Sequence, residues 1–462
     1  MIRVFHHYVP PAVILLLALE ATLFVLAIFL GVYLRFLELS PTGSVLQPWL
    51  PQAFLYSFVM ISVMTAFGLY EFESRDEVWQ IVLRVSSAFM VGLIVMTLFF
   101  YVFPALSIGR GVLAISFLIS LSGVIVLRLA FLQWTHLGIM KPRLLVLGTG
   151  TRAAKINAVV RVDKGGRLNI VGYLPLGGTH HYVDQSKILS ETGPLSAIVT
   201  KYRVDEIVLA VRDRRGALPV DELLECKLKG VRIIELSTFF ERERGRVQLE
   251  SLNPSWMILS EGFRFGLYRD AVKRVFDVGA SAVLLLLTLP IMGLTALFIL
   301  LESGGPILYR QERVGQGGAI FTMLKFRSMT VNAEKDGRPL WAAQNDARVT
   351  RVGRIIRKLR IDELPQVFNV FMGTMSFVGP RPERAFFVSQ LIAEIPYYSA
   401  RHTVKPGITG WSQIKYPYGA SIEDAIQKLQ YDLYYIKNHG LFLDLMILFQ
   451  TARVILWGRG AR

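Results

Sequence analysis

KRVFDVGASAVLLLLTLPIMGLTALFILL, residues 273–301, decides how this chain is built. A charged head, Lys273-Arg274-Val275-Phe276-Asp277, leads into an apolar run over 278–301 with Pro290 in its middle. At about 1.5 Å per residue the run is long enough to cross a bilayer once. Proline removes a backbone donor and favours a kink or break, with Thr288 just before it. Two geometries follow. A kinked spanning helix, which membranes tolerate, sends the following segment to the far side. A run that enters and returns by the same face keeps both flanking segments in one compartment. Both are rich in Arg and Lys, which favours the second.

Composition agrees with a chain partly in lipid and partly in water. The 462 residues are too many for one ordinary core, and two or three domains are expected. Hydrophobic residues make up 53% and the mean hydropathy is +0.44. The formal charge of +16 fits nucleic acid, an anionic leaflet or anionic substrates, and the apolar segments favour the last two. A single cysteine, Cys226, excludes an intrachain disulfide and a cysteine-clustered metal site; its ordinary reading is a small buried residue.

Upstream, four apolar stretches near 9–36, 50–69, 81–103 and 112–131 approach or exceed the ~20 residues that a transmembrane helix needs. The first is too long for a cleavable signal peptide and more spans follow it. Glu20 within it is either a functional carboxylate or the partner of a neighbouring helix. Arg3, His6 and His7 precede the first stretch, and Arg128, Lys141 and Arg143 follow the fourth. The positive-inside rule then places both ends in the cytoplasm, with Arg35 and Arg110 weakening the contrast.

Between the two apolar regions lies an α/β pattern from about 141 to 256. The strand-like Arg143-Leu144-Leu145-Val146-Leu147 runs into Gly148-Thr149-Gly150-Thr151-Arg152-Ala153, a strand, Gly-rich turn and helix similar to a dinucleotide fingerprint. Strands at 168–174, 206–211 and 231–236 and a helix at 220–228 extend it to a parallel sheet. The acid that would hold a ribose hydroxyl after the second strand is missing, since Leu174, Pro175 and Leu176 stand there. Gly148 and Gly150 are therefore candidates for a nucleotide or nucleotide-sugar site, against a structural or regulatory Rossmann-like module. A bound NAD acting in redox chemistry is disfavoured.

Downstream, the basic segment carries acidic residues among many arginines: Gln311-Glu312-Arg313-Val314-Gly315, Lys325-Phe326-Arg327-Ser328-Met329, Asp362-Glu363-Leu364-Pro365-Gln366 and Gly379-Pro380-Arg381-Pro382. With Lys273-Arg274-x-Phe276-Asp277, Gly305-Pro306-x-x-Tyr309-Arg310, Asn369-Val370, Met375-Ser376 and Lys405-Pro406-Gly407-x-Thr409-Gly410, this ordered set resembles the bacterial sugar transferases, which are polyprenyl-phosphate hexose-1-phosphate transferases. It covers roughly the last 190 residues closely, and the rest in architecture resembles the large, multi-span enzymes that initiate exopolysaccharide synthesis. Members often carry Ser-Pro at the helix break, where this chain has Thr288-Leu289-Pro290; the re-entrant geometry rests on Thr288 serving one position early.

The resemblance implies a four-helix transmembrane region over 1–137, a Rossmann-like α/β domain over 138–262, and a mostly α catalytic domain over 263–462. The last would carry the re-entrant helix and interfacial amphipathic helices. It implies transfer of a sugar-1-phosphate from a nucleotide diphosphate sugar, UDP being the family expectation, to undecaprenyl phosphate with release of UMP. The setting is the cytoplasmic face of the bacterial inner membrane. Asp362 is the implied nucleophile, forming a phospho-sugar aspartate, and Glu363 a base or positioning group. On the residues alone, Asp362 as a helix cap is an equal reading. Arg357 and Arg381 are the implied phosphate clamps, since guanidinium binds phosphate bidentately; Lys325, Arg327 and Arg313 join them as phosphate-binding candidates. Most of the run Arg351, Arg354, Lys358 and Arg360 reads as a face on an anionic leaflet. Mg2+ is the implied cofactor, with Asp362 as its one nameable ligand, and no Asp-x-Asp triplet occurs.

Residues 441–457, with Asp444, Thr451 and Arg453 interspersed, read as an amphipathic interfacial helix. Tyr431, Tyr434, Tyr435 and Trp411 read either as headgroup anchors or as core. Expected partners are undecaprenyl phosphate, the nucleotide sugar, membrane lipids, a second copy in a homodimer and other polysaccharide assembly proteins, with no nucleic acid. Two competing readings exist. A membrane-anchored NAD-dependent sugar epimerase or dehydrogenase needs an acid after the second strand and a Tyr-x-x-x-Lys pair, both missing from the Rossmann-like part. A non-enzymatic scaffold of an assembly complex requires Asp362→Ala to leave function intact.

Overall fold

A computed structural model describes residues 2–4, 7–36, 49–70, 78–136, 142–162, 168–176, 182–191, 193–211, 218–249, 262–263, 266–330, 348–416, 419 and 421–457. The side chains of Arg3, His6, His7, Lys141 and Arg453, named above, lie outside the described residues. The chain divides into two compact units, one built on Val9–Arg244 and the other on Gly245–Arg462.

The first unit opens with four helices, α1 (Pro11–Phe36), α2 (Leu50–Ala66), α3 (Val78–Val102) and α4 (Arg110–His136). Three of them are long and apolar enough to cross a membrane; α2, at 17 residues, is shorter. At about 26 Å it falls just under the hydrocarbon thickness. Phe24, Tyr56, Met60, Phe89, Met96 and Val124 fill the interior, while Phe54, Phe58, Met90, Leu98 and Leu118 are exposed. An apolar interior inside an apolar exterior is the pattern of a bundle solvated by lipid. Glu20 is not a free intramembrane acid. Its carboxylate pairs with Arg128 of α4, Nε to Oε1 at 2.7 Å and Nη2 to Oε2 at 3.0 Å, and Tyr70 Oη donates to it at 2.6 Å. Arg128 Nη1 also donates to the Leu69 carbonyl at 2.7 Å.

The same unit then forms β1 (Arg143–Leu147), α5 (Thr151–Val162), β2 (Asn169–Leu174), α6 (Leu195–Tyr202), β3 (Glu206–Leu209), α7 (Val220–Leu228), β4 (Arg232–Glu235) and α8 (Leu236–Arg244). All strand pairings are parallel, in the order β2-β1-β3-β4, so each strand returns through a helix. Leu144 and Val146 face one core, Leu145 and Leu147 the other, the period-two alternation of a sheet covered on both sides. Cys226 is buried in the second core. Gly148 sits at φ +115, where an added Cβ would meet the Ala210 backbone at 3.3 Å; glycine is required there. Around Gly150 there is open space.

In the second unit, α9 (Leu267–Ser303) is followed by β5 (Leu308–Val314), β6 (Ile320–Phe326), α10 (Arg351–Lys358), α11 (Gln366–Met372), β7 (Ser376–Val378), α12 (Ala385–Glu394), β8 (Gly407–Thr409), α13 (Trp411–Lys415), α14 (Ile422–Asn438) and α15 (Leu441–Trp457). The unit is mostly helical, but β5 and β6 form an antiparallel hairpin and β7 pairs with β8 in parallel. The segment from Gly245 belongs here because the Val247 N–H donates to the Gln430 carbonyl and Trp411 Nε1 donates to the Gly245 carbonyl at 2.7 Å.

α9 is one continuous helix with Pro290 inside it, so of the kink or break expected at the proline, the break is not present. Pro290 withdraws one N–H from the ladder. Thr288 Oγ1 donates to the Leu284 carbonyl at 2.7 Å, an ordinary back-bond one turn earlier. The inward side of α15 mixes apolar and polar side chains. Asp444, Gln450, Leu443 and Ile447 are buried, whereas Leu445 is exposed. Lys273 Nζ meets Asp444 at 2.5 Å and Thr451 bonds Thr409 at 2.7 Å. Asp444 and Thr451 point inward because the core supplies them with partners. Trp411, Tyr434 and Tyr435 are core rather than headgroup anchors: Trp411 stacks on Tyr434 with centroids 5.9 Å apart.

Candidate active site

Asp362 and Glu363 lie in a single 3-10 turn, Ile361–Glu363, between α10 and α11. The turn is entered through Arg360, whose φ of +59 is left-handed. A non-glycine residue there costs about 1–3 kcal/mol and persists where the surroundings impose it, often at functional sites. Asp362 is not the cap of the following helix. That helix starts at Gln366, after Pro365, with no side-chain cap, and at 7 residues it is too short to present a useful dipole.

Three cations converge on Glu363. Lys325 Nζ lies 3.1 Å from Oε1, Arg381 Nη2 lies 3.5 Å from the same oxygen, and Arg360 Nη1 lies 3.8 Å from Oε2. Burial alone would raise the Glu363 pKa, but the charges of Lys325, Arg381 and Arg360 outweigh it and bring it to about 2. Burial also pulls the Lys325 ammonium below its ordinary value, against the attraction of Glu363.

Asp362 is in the opposite state. Its carboxylate forms no hydrogen bond or ion pair among the described residues. Burial first, and then the Glu363 charge, raise its pKa, while Lys325, Arg357 and Arg360 pull it down. A carboxylate near three cations but bonded to none of them is chemically able to attack an electrophile or to hold a metal ion. The side chain of Arg357, on the last turn of α10, makes no hydrogen bond or ion pair among the described residues.

The scaffold explains this placement. Lys325 is on β6, and α11 is fixed to the β6 edge by Asn369, which accepts from Leu324 N at 3.0 Å and donates to the Thr322 carbonyl at 2.8 Å. α10 is anchored at its start by Thr350, whose hydroxyl accepts from Gly353 N at 2.8 Å. Glu302, at the end of α9, accepts from Arg351 N at 2.7 Å and Val352 N at 3.0 Å. A Cβ on Gly353 would lie 2.0 Å from the Ser328 carbonyl, so this close approach admits only glycine.

The structure thus brings Asp362, Glu363, Lys325, Arg357 and Arg381 together. Two further candidates face elsewhere. Arg327 is buried and donates to the Ser303 and Gly304 carbonyls, at 3.1 and 2.6 Å, closing the end of α9. Arg313 spends its donors on Gln311, on the Pro382 carbonyl at 3.1 Å and on Glu383 at 3.5 Å. Arg360, read from sequence as part of a leaflet-facing run, reaches the carboxylates because the left-handed turn folds it back; Arg351, Arg354 and Lys358 are exposed. Sequence reasoning gave no role to Glu302 or to the buried acids Asp432 and Asp444. An acid within an apolar helical stretch was the available signal for Asp444. No group of three or more His, Cys, Asp or Glu side chains assembles into a metal site among the described residues.

Paired carboxylates in a ring of cations, on a unit with a long apolar helix, define a membrane enzyme that handles anionic groups. A model of the family described as bacterial sugar transferase matches residues 268–458. The chain is 41% identical over 306 residues to a UDP-N-acetylgalactosamine-undecaprenyl-phosphate N-acetylgalactosaminephosphotransferase of Aeromonas hydrophila, covering 65% of this chain and 69% of that one. It is 45% identical over 190 residues to a UDP-glucose:undecaprenyl-phosphate glucose-1-phosphate transferase of Caulobacter vibrioides, 40% of this chain and 70% of that one. A like-named enzyme of Escherichia coli is 42% identical over 182 residues, 39% of each chain. The chain belongs to the bacterial sugar transferase family and is a phosphoglycosyl transferase.

Proposed function

We propose that the protein transfers a sugar-1-phosphate from a UDP-hexose to undecaprenyl phosphate with release of UMP, the first membrane step of an exopolysaccharide or surface glycan. The observation that carries this reading is the difference between the two adjacent carboxylates: Glu363 is engaged by Lys325, Arg381 and Arg360, and Asp362 is left free beside them. An Asp362 oxygen attacks the phosphorus that bears the sugar, the bond to the nucleoside monophosphate breaks, and UMP leaves. An oxygen of undecaprenyl phosphate then attacks the same phosphorus, which restores the carboxylate and forms the lipid diphosphate sugar. One phosphorus–oxygen bond forms and one breaks in each step.

The cations lower both barriers by neutralising charge that gathers on the phosphoryl oxygens. Glu363, with a pKa of about 2, is a weak proton acceptor; its role is to hold Lys325 and Arg381 in place. Arg357 and Arg381 grip the diphosphate. Arg313 and Arg327 support the surrounding fold. Mg2+ is commonly held by one or two carboxylates plus substrate phosphates, and a free Asp362 carboxylate with no acidic cage fits that mode; Asp362 is the residue that would hold it. Bound there, the ion would supply further neutralisation of phosphate charge.

In this reading α9 enters the membrane, bends at Pro290, where the ladder lacks one N–H, and returns to the same face. Near its start, Lys273 and Arg274 donate to the carbonyls of Val378, Val370 and Phe371, and Asp277 accepts from Phe377 N. At its end, Glu302, Ser303 and Gly304 bond residues 351, 352 and 327. Both ends are thus tied to one unit, with Leu286, Leu287 and Leu301 exposed between or beside them. A straight span of this length, about 55 Å, would carry one set of polar ties to the far side. The catalytic unit then sits at the cytoplasmic face of the inner membrane, where nucleotide sugars are made. The parallel sheet remains a Rossmann-like module, and Gly148 shapes its first turn.

The test is UMP release by detergent-purified protein given undecaprenyl phosphate, Mg2+ and a panel of UDP-sugars, with Asp362→Ala and Asp362→Asn alongside. Lipid-dependent release lost in both variants supports the reading, and release that survives both removes Asp362 as nucleophile.

A further inference from the structure

We propose that Arg401 is a positioning residue: its buried guanidinium, anchored on Asp432, holds the main chain at Arg381 and so sets where Arg381 meets the donor diphosphate. The inference rests on the reaction proposed above. Arg401 Nη2 donates to the Arg381 carbonyl at 2.9 Å and pairs with Asp432 Oδ2 at 3.0 Å. Its Nη1 donates to Tyr398 Oη at 2.5 Å, and Ser412 Oγ donates to the other Asp432 oxygen at 2.6 Å. Arg401 and Asp432 are both buried.

The neighbouring carbonyl, that of Pro382, is held by Arg313 of β5. Gly379 N donates to the Thr409 carbonyl and Gly407 N to the Pro380 carbonyl. Pro380 and Pro382 fix their own φ on either side of Arg381. Every residue from 379 to 382 is therefore tied by its main chain to a distant element, and the one long side chain that leaves this rigid segment for the carboxylates is Arg381. A buried ion pair is a poor way to gain stability, because desolvation offsets its attraction. What a guanidinium supplies is direction, since its planar fork holds three acceptors at fixed angles, which a lysine ammonium does not.

Four proteins test this: wild type, Arg401→Lys, Arg381→Gln and the double variant, each with kcat and KM for UMP release and a detergent melting curve. We expect Arg401→Lys to lower kcat by about 10–100-fold, the size of effect that misplacing a phosphate-binding group by about 1 Å produces. In the Arg381→Gln background the same change should cost less than about 2-fold, because the two residues act as one unit. An unchanged kcat, or an equal fold-loss in both backgrounds, overturns the proposal. Ser412→Ala, which removes a single bond to Asp432, covers the case in which Arg401→Lys does not fold; its smaller loss must likewise vanish with Arg381→Gln. Pyrophosphate affinity by calorimetry on the same variants separates the two readings. If the wild type releases no UMP, the proposed reaction fails, and the positioning role stands or falls on whether Arg401→Lys weakens pyrophosphate only where Arg381 is present.

Discussion

Glu20, inside an apolar stretch, and Asp362, beside Glu363 in the basic segment, are both carboxylates that the sequence offers as functional candidates. The structure separates them. Glu20 is matched by Arg128 and Tyr70, so its charge is fully employed in holding α1 and α4 together. Asp362 has cations around it and a bond to none. Burying a charge is tolerable when it is paired, and an unpaired one persists where chemistry uses it.

The largest break of this comparison is at Asp362. Asp362→Asn keeps the shape and removes the proposed nucleophile, and turnover should fall by at least about 10³-fold with little change in melting temperature. Arg357→Gln comes next. Turnover should fall by about 10–100-fold, and the acid limb of kcat/KM should move to higher pH. The sign follows from the carboxylate: the Arg357 charge lowers the Asp362 pKa, so removing it means a higher pH is needed to ionise the group. A limb that stays in place or moves down would show that Asp362 does not govern it.

Glu20→Gln sharpens the contrast from the other side. Leaving Arg128 buried without its partner should cost about 3 kcal/mol of stability, read as a lower melting temperature in detergent. Per folded molecule, kcat should be that of the wild type; a loss of kcat would make Glu20 functional after all. The smallest effect concerns His402, whose pKa is lowered from 6.5 to about 4, by burial and then by Arg401. The unfolded chain therefore binds this proton first, and stability falls as pH drops from about 6.5 towards 4. His402→Asn should flatten the melting temperature over that window, and an unaltered slope would assign it to other groups.

Much of this was legible in the sequence. The apolar stretches, the strand and Gly-rich turn at 143–153 and the Asp362-Glu363 pair all announce themselves through composition and local pattern. The hairpin of β5 and β6 was missed although Gly315, Gly317 and Gly318 mark its turn, because charged residues along β5 hide the alternation. Pro290 promised a kink or a break, and the helix is not broken there, since membrane helices tolerate one missing N–H. Arg313 and Arg327 could not be told from Arg357 and Arg381 by sequence. All are arginines in one basic segment, and only tertiary contacts reveal which ones turn to groups away from Asp362 and Glu363. Nor could spacing reveal that Arg360 turns back to Glu363, because a left-handed φ on a non-glycine residue has no local signature. The expectation of an amphipathic α15 is met by a helix that buries Asp444 together with Leu443 and Ile447, because Lys273, distant in sequence, supplies the acid with a partner.

The most direct test of the central claim is capture of the covalent intermediate. Purified protein is incubated with UDP-sugar carrying ³²P on the sugar-bearing phosphorus, without lipid acceptor, then quenched, digested and mapped by mass spectrometry. The account predicts label on the peptide that contains Asp362, absent from Asp362→Asn and released on adding undecaprenyl phosphate. Lipid-dependent UMP release with no protein-bound label, or label on a different side chain, would contradict it.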